Sequence, residues 1–316
     1  MITKREHNGE EIVIMENRRL RAEIAPGVGG RVVSLQGVEN GYQYLWRNEG
    51  LPLKRLPAGS EYDPNFYGGI DELLPNDTPE EFNGRELLDH GELWTMGLDW
   101  KTEGDSVHLS GTLPLCGLHY EKTVELCGDE PELLMRYRLT NTTRSRQEFL
   151  WKIHAALNIQ EGDEVICPAK TAEPAGEEWS KWKTAQPFDW PVVRGQRADI
   201  VPPRNGEMDF LYLYGLKDGY MGWRRPSEDL GLMYRFDKRV FPYCWYFASY
   251  GGFFGHYTAV LEPCTAMPFS LREAAAAGRC AALEAGESLE TEVRLYAGSA
   301  RGLEKVMGRP SPWTAG

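Results

Sequence analysis

Histidine and cysteine are scarce in this chain, six of each among 316 residues, and no two cysteines stand in a CxxC spacing. Cysteine-rich zinc sites and thiol-redox motifs are thereby excluded. Cys116, Cys127, Cys167, Cys244, Cys264 and Cys280 read instead as reduced thiols serving as small hydrophobes. Long apolar runs are missing too: none approaches the roughly 18 residues that a membrane-spanning helix needs. Positive charge is in deficit, with 35 Lys+Arg against 47 Asp+Glu and a net charge of −12. Such a surface repels nucleic-acid phosphates and anionic lipid, so neither nucleic acid nor membrane is an expected partner. There is no Walker-type lysine loop, no HExxH, no GxSxG and no close histidine pair, which removes the main support for triphosphatase, metalloprotease and serine hydrolase readings. The glycines of PGVGGR (26–31) are not followed by a helical pattern, so this string reads as a turn between strands. The acidic stretch GGIDELLPND (68–77) lacks the alternating oxygen ligands of a calcium loop. No metal and no other cofactor is expected. The start, MITKREHNGEE, has charge without a following apolar stretch, and the expected location is cytoplasmic.

What is present is a succession of short β patterns. Alternating or continuous apolar runs recur at 11–15, 20–26, 30–36, 106–113, 118–126, 132–140, 147–157, 210–215, 231–237, 244–250, 256–262 and 288–298. β-Branched and aromatic residues fill them, and Gly and Pro punctuate them. Helical periodicity is almost absent; LREAAAA (271–277), followed by Gly278 as a C-terminal cap, is the one good candidate. Segment 168–208 is rich in Pro, Gly, charge and Trp, and reads as a long loop or small subdomain. Its Trp179, Trp182 and Trp190 either pin the loop to the sheet or offer faces for a sugar ring.

With so few histidines, each can be read separately. His7 and His108 lie in polar contexts, and His119 and His256 begin strands beside tyrosines, where a structural imidazole is the natural reading. His90 stands in DHGELW (89–94), beside a carboxylate that can orient its ring and a glycine that permits close approach. His154 stands in LWKIHAALNI (150–159), where Leu150, Lys152, His154 and Ala156 share one strand face and Trp151, Ile153 and Ala155 the other. On that pattern alone His154 is either a core histidine or a catalytic one. Glu262 closes the run HYTAVLE and precedes Pro263, which is expected to end the strand at the mouth of a cavity. Partial burial there raises a carboxyl pKa toward general-base range.

The order of HG (90–91), the strand-borne His154, LEPCT (261–265) and LEAGESLETEVRL (283–295) resembles the aldose 1-epimerase, or galactose mutarotase-like, superfamily. GGRVVSL (29–35) and YLW (44–46) are similar to its opening strands, and GGIDELLPN (68–76) resembles its hexose-phosphate epimerase branch. The resemblance implies an all-β fold, a large antiparallel β-sandwich of the galactose mutarotase-like supersandwich type. It would form a single domain over 1–316, with the Pro/Trp-rich insertion at about 168–208. It also implies a sugar cleft in which His154 is the general acid, Glu262 the general base and His90 a second imidazole near the ring oxygen. Asp209, with Asp237 second, matches the family's substrate-binding aspartate. The family's Asn-Arg-Ile element is missing here, leaving Glu72, Asn76 or Arg85 for that space.

The implied activity is cofactor-independent interconversion of the α and β anomers of a small-molecule sugar. Glu262 would take the C1 hydroxyl proton and protonated His154 would give one to the ring oxygen. Trp94, Trp245 and Tyr243 are candidates for contacts with the apolar side of the sugar, and Lys238 and Arg239 for an anionic substituent. Two other readings stand beside this one. The first is a non-catalytic carbohydrate-binding or sensory protein on the same fold. The second is a lyase or glycosidase accessory role, in which Asp209 and Glu262 would be the carboxyl pair.

Overall fold

Each of these apolar runs forms strand, and all of their strands but Gln147–Phe149, which pairs with Ala281–Leu283, assemble antiparallel into two large sheets; the computed structural model describes residues 1–310 and Trp313. The run at 147–157 is interrupted at Leu150 and Trp151, whose N–H groups leave the ladder for Pro75 O and Thr265 Oγ1. The first sheet has 11 strands and the second has 8. The largest apolar cluster lies between them, drawing Leu35, Ile153 and Leu261 from the first and Leu109, Met135 and Leu295 from the second. The sandwich expected from the sequence is the fold observed.

Five neighbouring strands of the larger sheet position the site, in the order Ile70–Leu73, Lys152–Leu157, Tyr257–Cys264, Tyr243–Tyr250 and Met208–Tyr214. Side chains alternate between the two faces of a strand. Thus Ile70, Ile153, Ala155, Leu261, Tyr246 and Leu211 enter the inter-sheet core. Asp71, Lys152, His154, Glu262, Trp245 and Phe210, of opposite parity, point to the other face. Pro263 does not end its strand, as had been expected from its missing N–H; pairing continues to Cys264. The defect falls instead on the ladder to Lys152–Leu157, which pairs Lys152 with Cys264 and Ala155 with Leu261 and lapses between them.

The insertion is partly regular. Thr171–Pro174 and Phe188–Asp189 extend the edge of the 11-stranded sheet, and Val192–Val193 pairs with Gln196–Arg197. The expected helix spans Leu271–Ala276. Ser270 caps its N-terminus by accepting from Glu273 N–H at 3.2 Å, and Gly278 follows at φ +64°. A second helix, Ala300–Met307, was not foreseen. The six cysteines are free thiols. Among the described residues no helix is long and apolar enough to cross a membrane.

Glu72 was a candidate sugar ligand, and the structure places it elsewhere. It faces the inter-sheet core, where Lys122 Nζ lies 2.6 Å from its Oε1 and Tyr137 Oη donates to the same oxygen at 2.8 Å. Lys122 comes from Leu118–Leu126 of the opposite sheet, so the ion pair ties the two layers together. Burial raises the Glu72 pKa, and Lys122 opposes that shift. Removing one partner of a buried pair strands the other charge, typically at about 3–5 kcal/mol. Lys122→Met is therefore expected to lower unfolding stability by about that much, read as a fall in the urea midpoint without loss of the native spectrum.

Candidate active site

The register of three strands builds the centre of the site. His154 pairs with Asp71, and the Lys152–Cys264 and Ala155–Leu261 pairs on the other side set His154 opposite Glu262. Glu262 in turn pairs with Trp245. Asp71, His154, Glu262 and Trp245 thus form one row across the sheet, and directly opposed side chains stand about 4.5–5.5 Å apart at Cβ. The row borders a cavity of about 290 Å³ that takes in His154, Glu262, Lys152, His90, Asp77 and Asp89.

Lys152 stands between two carboxylates, with Nζ 2.6 Å from Asp77 Oδ1 and 2.7 Å from Glu262 Oε2, and lies 4.5 Å from the centre of the Trp245 ring. Burial disfavours its charge, but Asp77 first, and Glu262 when ionised, outweigh that and raise its pKa, so it stays an ammonium. For Glu262 the balance is reversed. Burial exceeds the pull of Lys152, and the carboxyl pKa is pushed up to about 7.

His154 is held neutral. Burial acts first, and the nearby charges of Lys152, His90 and Arg31 add to it, placing its pKa well below the ordinary histidine value. Hydrogen bonding defines the tautomer. A phenol has one proton, and Tyr62 Oη donates it to Asp71 Oδ2 at 2.8 Å, so at 3.3 Å from His154 Nδ1 the same oxygen accepts. Asp71 is itself paired to Arg31. Nδ1 therefore carries the hydrogen, and Nε2, without a hydrogen-bond partner among the described residues, keeps its lone pair for a bound molecule.

Tyr62 links the two histidines: its ring stacks on His90 at 4.1 Å and 12° while its hydroxyl reaches His154. His90 lies 2.7 Å from Asp89 Oδ1 through Nδ1, and its Nε2 is 3.6 Å from Asp77 Oδ1. Burial works against the charge on Asp89, but bonds from His90 and Tyr62 N–H prevail and hold its carboxyl below the usual range. A carboxylate only accepts, so His90 Nδ1 donates. Gly91, at φ +79°, admits the chain rather than a ligand: an added Cβ would stand 2.2 Å from Leu74 O. Among the described residues no group of three or more His, Cys, Asp or Glu is placed to hold a metal ion.

Comparison with solved structures decides the fold type. A galactose mutarotase-like protein from Clostridium acetobutylicum superposes with a TM-score of 0.69 at 14% identity, over 95% of this chain and 98% of that one. A Klebsiella pneumoniae protein named as a candidate aldose 1-epimerase gives 0.71 at 14% identity, over 94% and 82% of the two chains. The chain has the galactose mutarotase-like fold. Slr1438 from Synechocystis sp. PCC 6803 superposes at 0.68 with 16% identity, over 95% and 96%. No protein-family model matches the chain, and no curated protein matches its sequence.

On this galactose mutarotase-like scaffold the expected site residues divide. His154, Glu262 and His90 meet at the cavity. Asp209 does not, because its parity on Met208–Tyr214 turns it to the core side, where Lys181, Ser180 and Tyr250 hold it. The Asp209–Glu262 pairing considered for hydrolysis is thereby excluded. Asp237 pairs with Arg239 outside the cavity, and Lys238 Nζ is spent on Leu216 O and Lys217 O. Arg85 bonds Leu115 O and Gln147 away from the cavity. Asn76 is buried in the loop before Asp77, donating to Thr78 O and Leu88 O, and so shapes that loop without lining the cavity. Trp94 packs edge-on behind Tyr62 and donates to Asp89 O. Trp245 is fully buried, bonded to Ala266 O beneath Lys152.

Sequence reasoning missed Tyr62, Asp77 and Lys152 as participants. For Lys152 a signal existed, since the period-two pattern had put it on the face of His154. Trp179 alone of the insertion tryptophans lines the cavity, whereas Trp190 and Trp182 pack on the core. At pH 6, where an ordinary histidine with a pKa of about 6.5 is mostly charged, the ¹⁵N spectrum of His154 is expected to remain that of neutral imidazole protonated at Nδ1. An imidazolium spectrum would contradict this geometry.

Proposed function

We propose that the cavity binds a free reducing sugar and interconverts its α and β anomers by acid/base ring opening. The observation that carries this reading is the opposition of His154 and Glu262 across paired strands, both facing one cavity. The exchangeable oxygen and the ring oxygen of such a sugar are bonded to the same carbon, C1, so two side chains on neighbouring strands can span both. Names given to proteins of the same fold are consistent with this chemistry.

The protonation states favour roles opposite to those implied by the sequence resemblance. Neutral His154 takes the C1 hydroxyl proton on Nε2, the C1–O5 bond breaks as the aldehyde forms, and protonated Glu262 gives its proton to O5. Lys152, 2.7 Å from Oε2, stabilises the carboxylate left behind. Rotation about C1–C2 presents the other aldehyde face. Ring closure then returns the O5 proton to Glu262 and the His154 proton to the C1 oxygen, so no proton is gained or lost. Each positioned transfer is worth roughly 10²–10⁴ in rate.

Exchange NMR across a panel of hexoses and pentoses is expected to detect accelerated anomer exchange for at least one of them. His154→Ala and Glu262→Gln should each lower that rate by about 10²–10⁴ with the fold retained by circular dichroism. Binding without acceleration would leave a non-catalytic sugar-binding protein. Because Glu262 must hold its proton, kcat/KM should fall as pH rises above about 7. Lys152 pulls the Glu262 pKa down, so Lys152→Met should move that alkaline limb to higher pH. A kcat/KM that instead rises through pH 7 would return the base role to Glu262.

A further inference from the structure

Two residues along the strands from the reactive row lies a row of different character. Phe210 pairs with Phe247, Phe247 with Val260, and Val260 with Ala156. This row runs parallel to His154 and Glu262 at a separation of about 7 Å. The aromatic surface extends from it on both sides. Phe269 stacks on Phe210 at 6.3 Å and 21°, and Phe253 meets Phe247 edge-on at 5.1 Å. Phe66 and Trp179 also line the cavity. The five phenylalanines carry no side-chain hydrogen-bond donor or acceptor.

A single aromatic face is enough to cover the apolar side of a pyranose, so six rings around about 290 Å³ exceed that need. With C1 and O5 at His154 and Glu262, a sugar lying along the cavity toward Phe210 and Phe247 brings its substituents remote from C1 onto that row, because a hexopyranose measured with its substituents spans about 7 Å, the row spacing. Among these six rings only the Trp179 indole carries a polar N–H, so a hydroxyl there would give up most of its bonds to water, which is unfavourable. A hydrocarbon group there would be buried, which is favourable.

We propose that the sugar recognised here carries a hydrocarbon group in place of, or attached to, a hydroxyl remote from C1, seated on Phe210 and Phe247. Deoxy, alkyl and aryl substitution share that chemistry. The inference rests on the proposed placement of C1 beside His154 and Glu262, but its test reads binding rather than turnover.

Calorimetric titration of the full chain with matched gluco and galacto sets, each comprising the parent hexose, the 6-deoxyhexose and the 6-O-benzyl hexose, separates the two. The 6-deoxy or 6-O-benzyl member of at least one set should bind about tenfold or more tightly than its parent. Phe247→Tyr, which adds a hydroxyl to the wall while keeping the ring, should narrow that preference. Equal or tighter binding of both parents, or no binding by any member, would overturn the proposal. Accelerated anomer exchange without the preference would refute this inference and leave the proposed reaction. The preference without exchange would do the reverse.

Discussion

The site depends on the antiparallel register between Lys152–Leu157 and Tyr257–Cys264. Side-chain direction in a strand has period two, so a slip of one residue would turn His154 into the core and bring Ile153 to the cavity. The inter-sheet packing of Ile153 and Ala155 opposes such a slip, because it would put lysine and histidine in their place in an apolar core, away from the partners that satisfy them. The apolar parity that folds the sandwich is thus the same constraint that delivers the ionisable row to one cavity. Residues 108 positions apart in sequence meet with no loop required to place them.

The electrostatics follow from that placement. Lys152, His154 and Glu262 share one buried face, and Lys152 keeps its charge because Asp77 and Glu262 flank it. That charge and burial together make an imidazolium at His154 unfavourable. Burial also holds the Glu262 carboxyl near neutrality despite its lysine. The outcome, below about pH 7, is a pair of groups that share one proton, held by the carboxyl rather than the imidazole. The Arg31–Asp71–Tyr62 chain fixes which imidazole nitrogen carries the hydrogen.

Much of the fold was legible because strand periodicity is local: the apolar runs, the helix at 271–276 and the two faces of the His154 strand all follow from spacing alone. Ile70–Leu73 was not, since a strand written IDEL looks like a solvated acidic turn until Arg31 and Lys122 are seen to pair with Asp71 and Glu72. Within the site, His154, Glu262 and His90 were legible from residue type and order. Tyr62 and Asp77 lie in irregular segments, where no period announces which way a side chain points. Asp209 failed for the opposite reason: its strand was recognised, but parity, which sets it on the face opposite to Phe210, was not used. The protonation pattern was not legible at all, because it arises from a lysine brought close by packing.

The central claim is that the shared proton rests on Glu262 while His154 stays neutral. A ¹³C NMR titration of the side-chain carboxyls, with the Glu262 signal assigned by its loss in Glu262→Gln, tests this most directly. The account predicts a midpoint for that signal near 7. A midpoint at the ordinary glutamate value of about 4.3 would contradict it.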